Sequence, residues 1–303
     1  MNGGMRYLEL LQLHYFLKVA KLEHMTKAAQ ELRIAQPALS KTIARLEEDL
    51  GVPLFERKGR NIRLSSFGKV YLKKVEMALM MLEEGRREVE DLAKIERGRV
   101  FLATTTHKCF SDVIGSFISS HPDVKLQITQ ASEREKVQQL RNGEIDFCIT
   151  FPPIEQSGIE GLSFLTEEIF LAVPHTHRFA NLRSIDLSEL ADDPFICIKK
   201  GNPFREMTDE FCQKAGFTPN IICEVDEHSA VGHFIRMEIG VAFIPGTLIE
   251  KIDNSFHLLH INNPTCERTY QIAWREGKYM SEAERKFREF FVQSFTDLPM
   301  QYP

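Results

Sequence analysis

The chain has 303 residues, 43% hydrophobic and 27% charged, a composition typical of a folded protein with two or three domains. No apolar run approaches the ~20 residues that cross a bilayer, and the N-terminus lacks a signal peptide's apolar stretch, so we expect a cytoplasmic protein with no membrane partner. The net charge of −5 is uneven: residues 1–74 hold 14 Lys+Arg against 7 Asp+Glu, or +7, and the remainder carries −12. Only the basic first quarter suits phosphate contact.

The six cysteines are scattered singly, without a CxxC pair or a Cys/His cluster at zinc-ligand spacing. We therefore expect no metal site, no cofactor, and mostly buried thiols in a reducing compartment. The sequence also lacks a Gly-x-Ser-x-Gly elbow, a phosphate-binding glycine loop and a His-Glu-x-x-His motif. These absences predict no catalytic residue and no enzymatic activity.

Residues 10–95 show helical periodicity almost throughout. After a first amphipathic helix, a short second helix is expected over Lys27–Leu32, which Thr26 can cap, and Pro37 suits the first turn of a third helix. The buried face of the third helix is predicted to consist of Leu39, Ile43, Leu46 and Leu50. Two short helices joined by a tight turn, over about residues 25–44, indicate a helix-turn-helix, although a helical hairpin within a core would show the same periodicity.

Gly51 ends the third helix, and the following PLFERKGRNIRLS predicts a basic hairpin around its Lys-Gly-Arg-Asn turn. Ser65 or Ser66 can cap a long helix that extends to about Ile95. An apolar heptad stripe runs along this helix and consists of Tyr71, Val75, Ala78, Leu82, Val89 and Leu92, with Gly85 in the same series. Such a stripe on an otherwise charged helix predicts pairing with a second copy of the chain.

From Gly98 onward, short runs rich in apolar and β-branched residues alternate with helical patterns. Eight runs are candidate strands: RVFLATTT, VKLQIT, DFCITF, IFLAVP, PFICIK, NIICEV, VAFIP and YQIAW. This alternation favours parallel sheets covered by helices. A region of about 200 residues suits two small α/β lobes better than one large sheet.

The run FLKVAKLEHMTKAAQELRIAQPALSKTIARLEEDLGVPLFERKGRNIRLSSFG, residues 16–68, resembles the N-terminal domain of LysR-type transcriptional regulators. The match includes the AA pair, QPALSKTI, RLEEDLG, LFER and the serine-started linker helix. It departs at residues 23–26, where the family commonly has Gly-Ser-Phe-Thr, and at Ser65, where threonine is usual; Thr26 and Ser65 can still cap. Further on, NGEIDFCIT, MEIGVAFIP and AERKFREFF are similar to landmarks of the family's effector domain.

The resemblance implies an α+β multidomain fold. A winged helix-turn-helix would occupy residues 1–64 and a dimerising linker helix residues 65–97. A two-lobed α/β effector domain like that of periplasmic binding proteins would follow, with lobe I at 98–165 and 262–303 and lobe II at 166–261. Its crossover strands would lie near residues 162–168 and 259–265. The implied partners are double-stranded promoter DNA, a small-molecule effector, a second copy in a homodimer or homotetramer, and RNA polymerase, with activation or repression left open.

In a helix-turn-helix, the second helix enters the major groove and its early residues meet base edges. The corresponding DNA contacts are expected from Gln36, Pro37, Ala38, Ser40, Lys41 and Arg45. On the hairpin, phosphate or minor-groove contacts are expected from Arg57, Lys58, Arg60 and Arg63. Any one of these cations, taken alone, is equally explained as a solvated surface charge.

Clefts between two lobes are lined by strand ends and helix starts. In lobe I, effector contacts are expected from Thr104, Thr105, Thr106, His107, Lys108 and Thr150; in lobe II, from Asn202, Phe204, Ser229 and Pro245. The neighbouring Lys199, Lys200 and Arg205 would favour an anionic effector, such as a carboxylate or oxyanion, unless they are solvated.

Two alternatives stay open on the sequence alone. The segment FCQKAG around Cys212 resembles the one that carries the second redox cysteine in the family's peroxide-sensing branch, which would make the protein a thiol- or peroxide-responsive regulator. Pro203 stands where that branch has its first cysteine, and Cys197 could pair with Cys212 only by a different geometry. From another class, a solute-binding protein or an enzyme would explain the last 200 or so residues but not the first 97.

Overall fold

The computed structural model describes residues 8–58, 61–93, 98–105, 110–226, 228–251 and 256–296. The chain folds as two compact units, Met1–Glu96 and Arg97–Pro303. Within the described ranges, no helix is long and apolar enough to cross a membrane.

The N-terminal unit combines helices with one hairpin. In chain order its described elements are α1 (Leu10–Leu22), α2 (Met25–Glu31), α3 (Gln36–Leu50), β1 (Phe55–Lys58), β2 (Asn61–Leu64) and α4 (Ser66–Leu92). The two strands pair antiparallel, with Glu56 opposite Arg63. Apolar side chains from all four helices and the start of the hairpin form one core: Phe16, Val19, Ala20, Ala28, Ala29, Leu39, Ile43, Leu46, Leu54 and Val75.

The predicted inner face of α3 is confirmed. Leu39, Ile43 and Leu46 are at most 3% exposed, and Leu50 is half-buried. Against this face pack the two small side chains Ala28 and Ala29 of α2, whose size lets the helices cross closely. The spacing of four and three residues therefore fixes which side of α3 is left for solvent.

The start of α2 differs from the expectation. His24 is the N-cap residue, with an extended backbone, and its Nδ1 accepts a hydrogen bond from the N–H of Lys27 at 3.3 Å. Thr26 lies inside the first turn and is exposed, so the prediction that it caps the helix is wrong. The turn between α2 and α3 contains no glycine; Arg33 itself takes the left-handed conformation, with φ of 56°.

Polar contacts fix the hairpin and α4 to the helical core. Glu47 Oε1 on α3 accepts two backbone N–H hydrogen bonds, at 2.7 and 3.0 Å, from the start of the hairpin. Ser65 caps α4, because its Oγ accepts from the N–H of Gly68 at 3.0 Å and donates to the carbonyl of Pro53 at 2.7 Å. A Cβ on Gly68 would lie 2.0 Å from the carbonyl oxygen of Leu54, so this close approach requires glycine.

The C-terminal unit alternates strands and helices. Its described elements are β3 (Arg99–Thr104), α5 (Ser111–Ser120), β4 (Lys125–Gln130), α6 (Glu133–Arg141), β5 (Phe147–Thr150), β6 (Ile159–Val173), β7 (Ser184–Asp186), β8 (Pro194–Ile198), α7 (Pro203–Lys214), β9 (Asn220–Val225), α8 (His228–Arg236), β10 (Ala242–Pro245), β11 (His257–Asn263), β12 (Glu267–Arg275) and α9 (Glu282–Thr296). Short 3-10 helices follow β7 and β10. The eight predicted strands are all present, and β11 overlaps the second predicted crossover strand near residues 259–265, whereas β7 was not predicted as a strand.

The larger sheet has the order β4-β3-β5-β12-β6-β11-β7, and β10 also pairs with β6; β8 and β9 form a separate pair. Strand β3 runs parallel to β4 and β5, as expected. The expectation of parallel pairing is wrong for β12, which is antiparallel to β5 and β6, and for β10 and β11, which are antiparallel to β6. The sheet is mixed because β6 and β12 cross between two cores.

Each core defines one lobe. The lobe I core lies around β3, β5 and β12, and its fully buried rings come from Phe110, Phe117, Phe147, Phe287 and Phe291. The lobe II core lies around the second half of β6, β8 and β10. Strand β6 belongs to both, with Phe164 and Leu165 in the first core and residues from Ile169 onward in the second.

Lobe I also contains a buried ionic triad. Lys278 Nζ lies 2.5 Å from Asp146 Oδ1 and 3.1 Å from Glu284 Oε1, and all three side chains are at most 6% exposed. Burial raises the pKa of Glu284 to about 7, more than Lys278 lowers it, and the neighbouring Asp146 adds to the rise. Burial would also raise the pKa of Asp146, but Lys278 and the N–H of Phe101 outweigh it and hold that pKa below its ordinary value. One ammonium thus serves two carboxyl groups.

The raised pKa of Glu284 means that the folded chain holds this proton more tightly than the unfolded chain. The stability linked to it is complete below about pH 4.5 and is lost as pH rises through about 7. In the wild type, the free energy of unfolding should therefore fall by an amount on the order of 2 kcal/mol between pH 5 and 8. We predict that this fall is absent in Glu284→Gln, because the amide resembles the protonated carboxyl group. Urea unfolding followed by the fluorescence of Trp274, the single tryptophan, measures this. The exposed Glu289→Gln is the control; equal pH slopes in both variants contradict the prediction.

Candidate functional site

The first candidate surface is the start of α3. Ala35 is the N-cap residue, and Pro37 lies in the first turn, where no N–H partner is needed. Solvent meets the residues opposite the buried face: Gln36, Pro37, Ala38, Lys41 and Arg45 are exposed, and Ser40 is half-exposed. The helix therefore brings all six predicted α3 residues onto one surface.

Hydrogen bonds orient part of this surface. Gln36 Nε2 donates to Ser40 Oγ at 2.7 Å, one helical turn away. The pairing keeps a side-chain amide and a hydroxyl side by side, and both groups are suited to base edges. Arg45 Nη2 lies 3.9 Å from Glu9 Oε1, and both side chains are more than half exposed, so this ion pair is weak.

The hairpin adds fewer described cations than predicted. Arg63 is exposed on β2, opposite Glu56 of β1. Arg57 and Lys58 lie on the backbone of β1, but their side chains are outside the described part of the chain, as is all of Arg60. The α3 surface is thus the better defined half of the predicted DNA interface.

Helix α4 carries the second candidate surface, which we call the α4 stripe. It consists of Phe67, Val70, Met77, Ala78, Met81, Leu82, Val89 and Leu92, all exposed. The large side chains among them are 49 to 76% exposed. Helical spacing places them on one side of a helix about 40 Å long. An apolar stripe of this length is typical of an interaction surface.

Two residues predicted for dimerisation pack into the core of the N-terminal unit instead. Val75 is 3% exposed and lies in the core of its own unit. Tyr71 packs its ring edge-on against Phe16 at 5.2 Å. The assignment of Val75 to a dimer contact is wrong, and Tyr71 also serves the internal core, because α4 must cover α1 on this side. The heptad pattern also left out Phe67, Val70, Met77 and Met81, because it could not show which apolar residues of α4 the rest of the unit covers.

In lobe I, the predicted effector residues surround a buried lysine. Lys136 is fully buried, and its ammonium donates to Thr105 Oγ1 at 2.9 Å, to Glu133 Oε1 at 2.6 Å and to the carbonyl of Ile149 at 2.8 Å. Thr150 Oγ1 donates to Glu133 Oε2 at 2.5 Å. The charge of this lysine is therefore balanced within the lobe.

This cluster changes the role of the threonines. Thr104 and Thr150 are 2% and 1% exposed, so both are buried within lobe I and their burial does not support direct effector contact. Thr105 is half-buried and bonds to Glu133 at 2.9 Å. Thr106, His107 and Lys108 lie outside the described residues.

In lobe II, the predicted residues mainly build helix starts. Asn202 Oδ1 caps α7 by accepting from the N–H of Phe204 at 2.9 Å, and Asn202 is half-buried. Phe204 and Pro245 are buried, so a ligand that enters from solvent cannot contact them directly in this structure. Ser229 lies on α8, with its side chain outside the described part of the chain.

The predicted anionic bias loses most of its support. Arg205 is 2% exposed, and its guanidinium binds Asp209 at 2.8 Å, Glu224 at 2.7 Å and a backbone carbonyl at 3.0 Å. Lys199 lies 3.6 Å from Asp226 in an exposed pair. Arg205, Glu224 and Lys200 also line an open cavity of about 430 Å³ beside β9. Since carboxylates offset two of the three predicted cations, these residues give the cleft little net positive charge.

Sequence reasoning missed a buried ion pair between β6 and β12. Arg268 Nε lies 2.5 Å from Glu167 Oε1, and the two residues are 7% and 1% exposed. The guanidinium lies over the rings of Tyr270, Phe204 and Phe151, at 4.7, 5.1 and 5.5 Å from their centroids. Glu167 lies in the first predicted crossover strand, and a charged residue at that place was the one signal in the sequence that could have indicated the ion pair.

The thiols are in environments that suppress reactivity. Cys212 is 0% exposed, and burial raises its pKa to about 12. Burial likewise raises the pKa of Cys197 to about 11, although Arg205 acts in the opposite direction. A reactive cysteine needs an accessible thiolate. The described cysteines therefore give no support to a redox switch through Cys212.

Comparison with known proteins gives matches over nearly the whole chain. Residues 10–69 match the family model described as "Bacterial regulatory helix-turn-helix protein, lysR family", and residues 95–296 match the "LysR substrate binding domain". The uncharacterized HTH-type transcriptional regulator YybE of Bacillus subtilis is 35% identical over 96% of this chain and 100% of its own. The transcriptional dual regulator GltC, also of Bacillus subtilis, is 32% identical over 96% of this chain and 99% of its own.

Solved structures show the same fold. A full-length OxyR variant from Pseudomonas aeruginosa, in which a cysteine is replaced by aspartate, is similar with a TM-score of 0.74 and 21% identity, covering 98% of this chain and 100% of that one. Full-length CbnR in complex with its target DNA gives a TM-score of 0.66 and 22% identity, covering 95% and 100% of the two chains.

We predict that mild peroxide leaves Cys212 reduced, because a thiol with a pKa of about 12 has almost no thiolate at neutral pH. Mass spectrometry of the folded chain after peroxide and thiol labelling measures this. Cys223, which is less buried, provides an internal comparison. A reversible disulfide between Cys212 and Cys197 at low peroxide would contradict the prediction and restore the redox alternative.

Proposed function

The chain belongs to the LysR family of bacterial transcriptional regulators, and from this we propose that it binds promoter DNA as a dimer through α3 and answers to a small-molecule effector in its C-terminal unit. The observation that carries the DNA-binding part is the polar, exposed start of α3 on a helix whose other face is buried. The similar protein CbnR has been solved with its target DNA.

Within the DNA interface, the residues divide by role. Gln36 and Ser40 supply hydrogen bonds to base edges, and Pro37 and Ala38 offer apolar contact to thymine methyl groups. Lys41 and Arg45 are placed one turn along and bind phosphates, as do the basic residues of the hairpin: Arg57, Lys58, Arg60 and Arg63. The basic first quarter of the chain supports this, since phosphate neutralisation drives most of the affinity.

The α4 stripe is the proposed dimer surface. Each large member leaves about half or more of its side chain in water, and burying apolar area contributes roughly 25 cal/mol per Å². A second α4 covers a stripe of matching length and chemistry. Pairing two chains through α4 also places two α3 helices on one DNA molecule, as two half-sites require.

We assign residues 1–64 to DNA binding, 65–97 to dimerisation, 98–165 and 262–303 to lobe I, and 166–261 to lobe II. The pairing of β6 with β12 on one side and with β10 and β11 on the other supports a lobe boundary within β6. The effector would bind between the lobes and shift the population of lobe arrangements, which changes how the DNA-binding domains are spaced. Thr105, Asn202, Ser229 and the segment 106–108 remain the proposed contacts.

We predict that Ser40→Ala with Lys41→Ala lowers affinity for the DNA upstream of the protein's own gene by about 100-fold, because a base-edge contact and a phosphate contact are lost together. Fluorescence anisotropy with labelled DNA measures the affinity at several salt concentrations, and the salt slope falls by about one.

The matched control is Ser119→Ala with Lys125→Ala, the same substitutions at exposed positions of the C-terminal unit. This variant keeps wild-type affinity and salt slope. Undiminished affinity of the α3 variant for the same DNA would overturn the assignment of α3 as the reading helix. Weakening in both variants would show a general charge effect and would overturn it as well.

A further inference from the structure

Strand β6 changes partners at one point. It pairs with β12 as far as Glu168 opposite Glu267, and from Ile169 onward it pairs with β10. Immediately before this change, Glu167 lies opposite Arg268. The two strands that join lobe I to lobe II therefore carry opposite charges at the site where they cross.

The pair is buried, and both oxygens of the Glu167 carboxylate accept hydrogen bonds. Glu167 Oε1 accepts from Arg268 Nε at 2.5 Å, and Oε2 accepts from the backbone N–H of Thr247 at 2.6 Å. The Glu167 side chain is 0% exposed and that of Arg268 is 6% exposed. Both carboxylate oxygens are thus used, one by a crossing strand and the other by the segment that follows β10.

Groups from both lobes converge on this pair. Phe151, after β5, and Tyr270 on β12 contact the guanidinium from lobe I. Phe204, at the start of α7, contacts it from lobe II, and the N–H of Thr247, also in lobe II, binds Glu167. A change in the angle between the lobes would move some of these contacts apart, because they come from different lobes.

Stability alone does not account for such a pair. Removing two charges from water costs several kcal/mol per ion, and apolar replacements are often as stable. A buried ion pair does, however, penalise any geometry that leaves one charge unpaired. Thr247, whose N–H binds Glu167, also has a buried Oγ1 without a hydrogen-bond partner among the described residues.

We propose that Glu167 and Arg268 are positioning residues that hold lobes I and II in one defined arrangement, and that this pair transmits effector binding from one lobe to the other. The transmission part rests on the proposed function, whereas the positioning part is a property of the chain without effector or DNA. Loss of the pair replaces one lobe arrangement by several.

The test is an interlobe distance measurement on the full-length chain without effector or DNA. Spin labels are introduced by genetically encoded residues at Ser119 on α5 of lobe I and Glu210 on α7 of lobe II, both exposed, which leaves the cysteines unchanged. Labelled chains are diluted with unlabelled chains so that distances within one chain dominate. Double electron–electron resonance then gives the distance distribution.

In Glu167→Gln, the amide oxygen can accept from Arg268 or from Thr247 but not from both, while shape is kept. We expect the interlobe distribution to broaden or gain a second maximum, and the amide of Thr247 to exchange hydrogen at least about tenfold faster. The matched control is Thr166→Val, which removes the exposed 2.9 Å contact to Thr269 in the adjacent pair of the same two strands. This control keeps the wild-type distribution and exchange rate.

A second variant separates positioning from folding. Glu167→Met with Arg268→Met replaces the ion pair by side chains of similar length and is expected to fold with near wild-type thermal stability but with the broadened distribution. Wild-type distributions in both variants would overturn the proposal. Equal broadening in Thr166→Val would also overturn it, since any change at the crossover would then have the same effect. None of these readouts uses DNA, so the proposed function can fail or stand independently.

Discussion

The structure depends first on the double use of the apolar residues of α4. Val75 and Tyr71 cover α1, and without them the small N-terminal core would be open. The other apolar side chains of the helix form the α4 stripe, which is exposed to water, with Leu92 at 76% exposed. A helix of about 40 Å cannot leave such a surface uncovered at little cost. The proposed pairing of two chains would therefore use the same helix that completes the N-terminal core.

The same helix helps to position the α3 surface that is proposed to bind DNA. Ser65 and Gly68 tie the start of α4 to the hairpin, and Glu47 ties the hairpin to α3. The outward face of α3 is thus positioned by contacts on its inner face. In the C-terminal unit, the comparable constraint is the continuous strand β6. Its Glu167 binds Arg268 at the point where β6 stops pairing with β12. In each unit, one long element, α4 or β6, therefore packs in two different environments.

Much of the architecture could be predicted from the sequence. Apolar spacing gave the helices of the N-terminal unit and the inner face of α3, and the motifs gave the family, which the whole-chain matches confirm. Strand β7 was missed because it has only three residues. The start of β6, before the predicted crossover strand near residues 162–168, was missed because it is exposed and partly polar.

The sites were harder to predict, for a physical reason. Burial depends on contacts between residues that are distant in the sequence. The sequence around a single threonine or arginine therefore does not show whether the side chain lies in a cleft or in a core. Thr150 and Arg205 were assigned to the cleft, yet Glu133 and Glu224 engage them inside the fold. Val75 on α4 is a further example, because a heptad pattern does not show which apolar positions are covered by the chain's own core. Glu167 and Arg268 lie 101 residues apart, and only the register of β6 and β12 brings them together.

The central claim is that two chains join through the α4 stripe to form the DNA-binding species. Sedimentation equilibrium of the full-length chain tests it most directly, with Met81→Asp combined with Leu82→Asp on the stripe. The control is Lys69→Asp, at an exposed position of α4 away from the stripe, which changes the net charge by the same amount. We expect the wild type and the control to sediment at twice the chain mass or more, and the stripe variant as a folded monomer. A stripe variant that remains dimeric, or a wild type that is monomeric, would contradict this account.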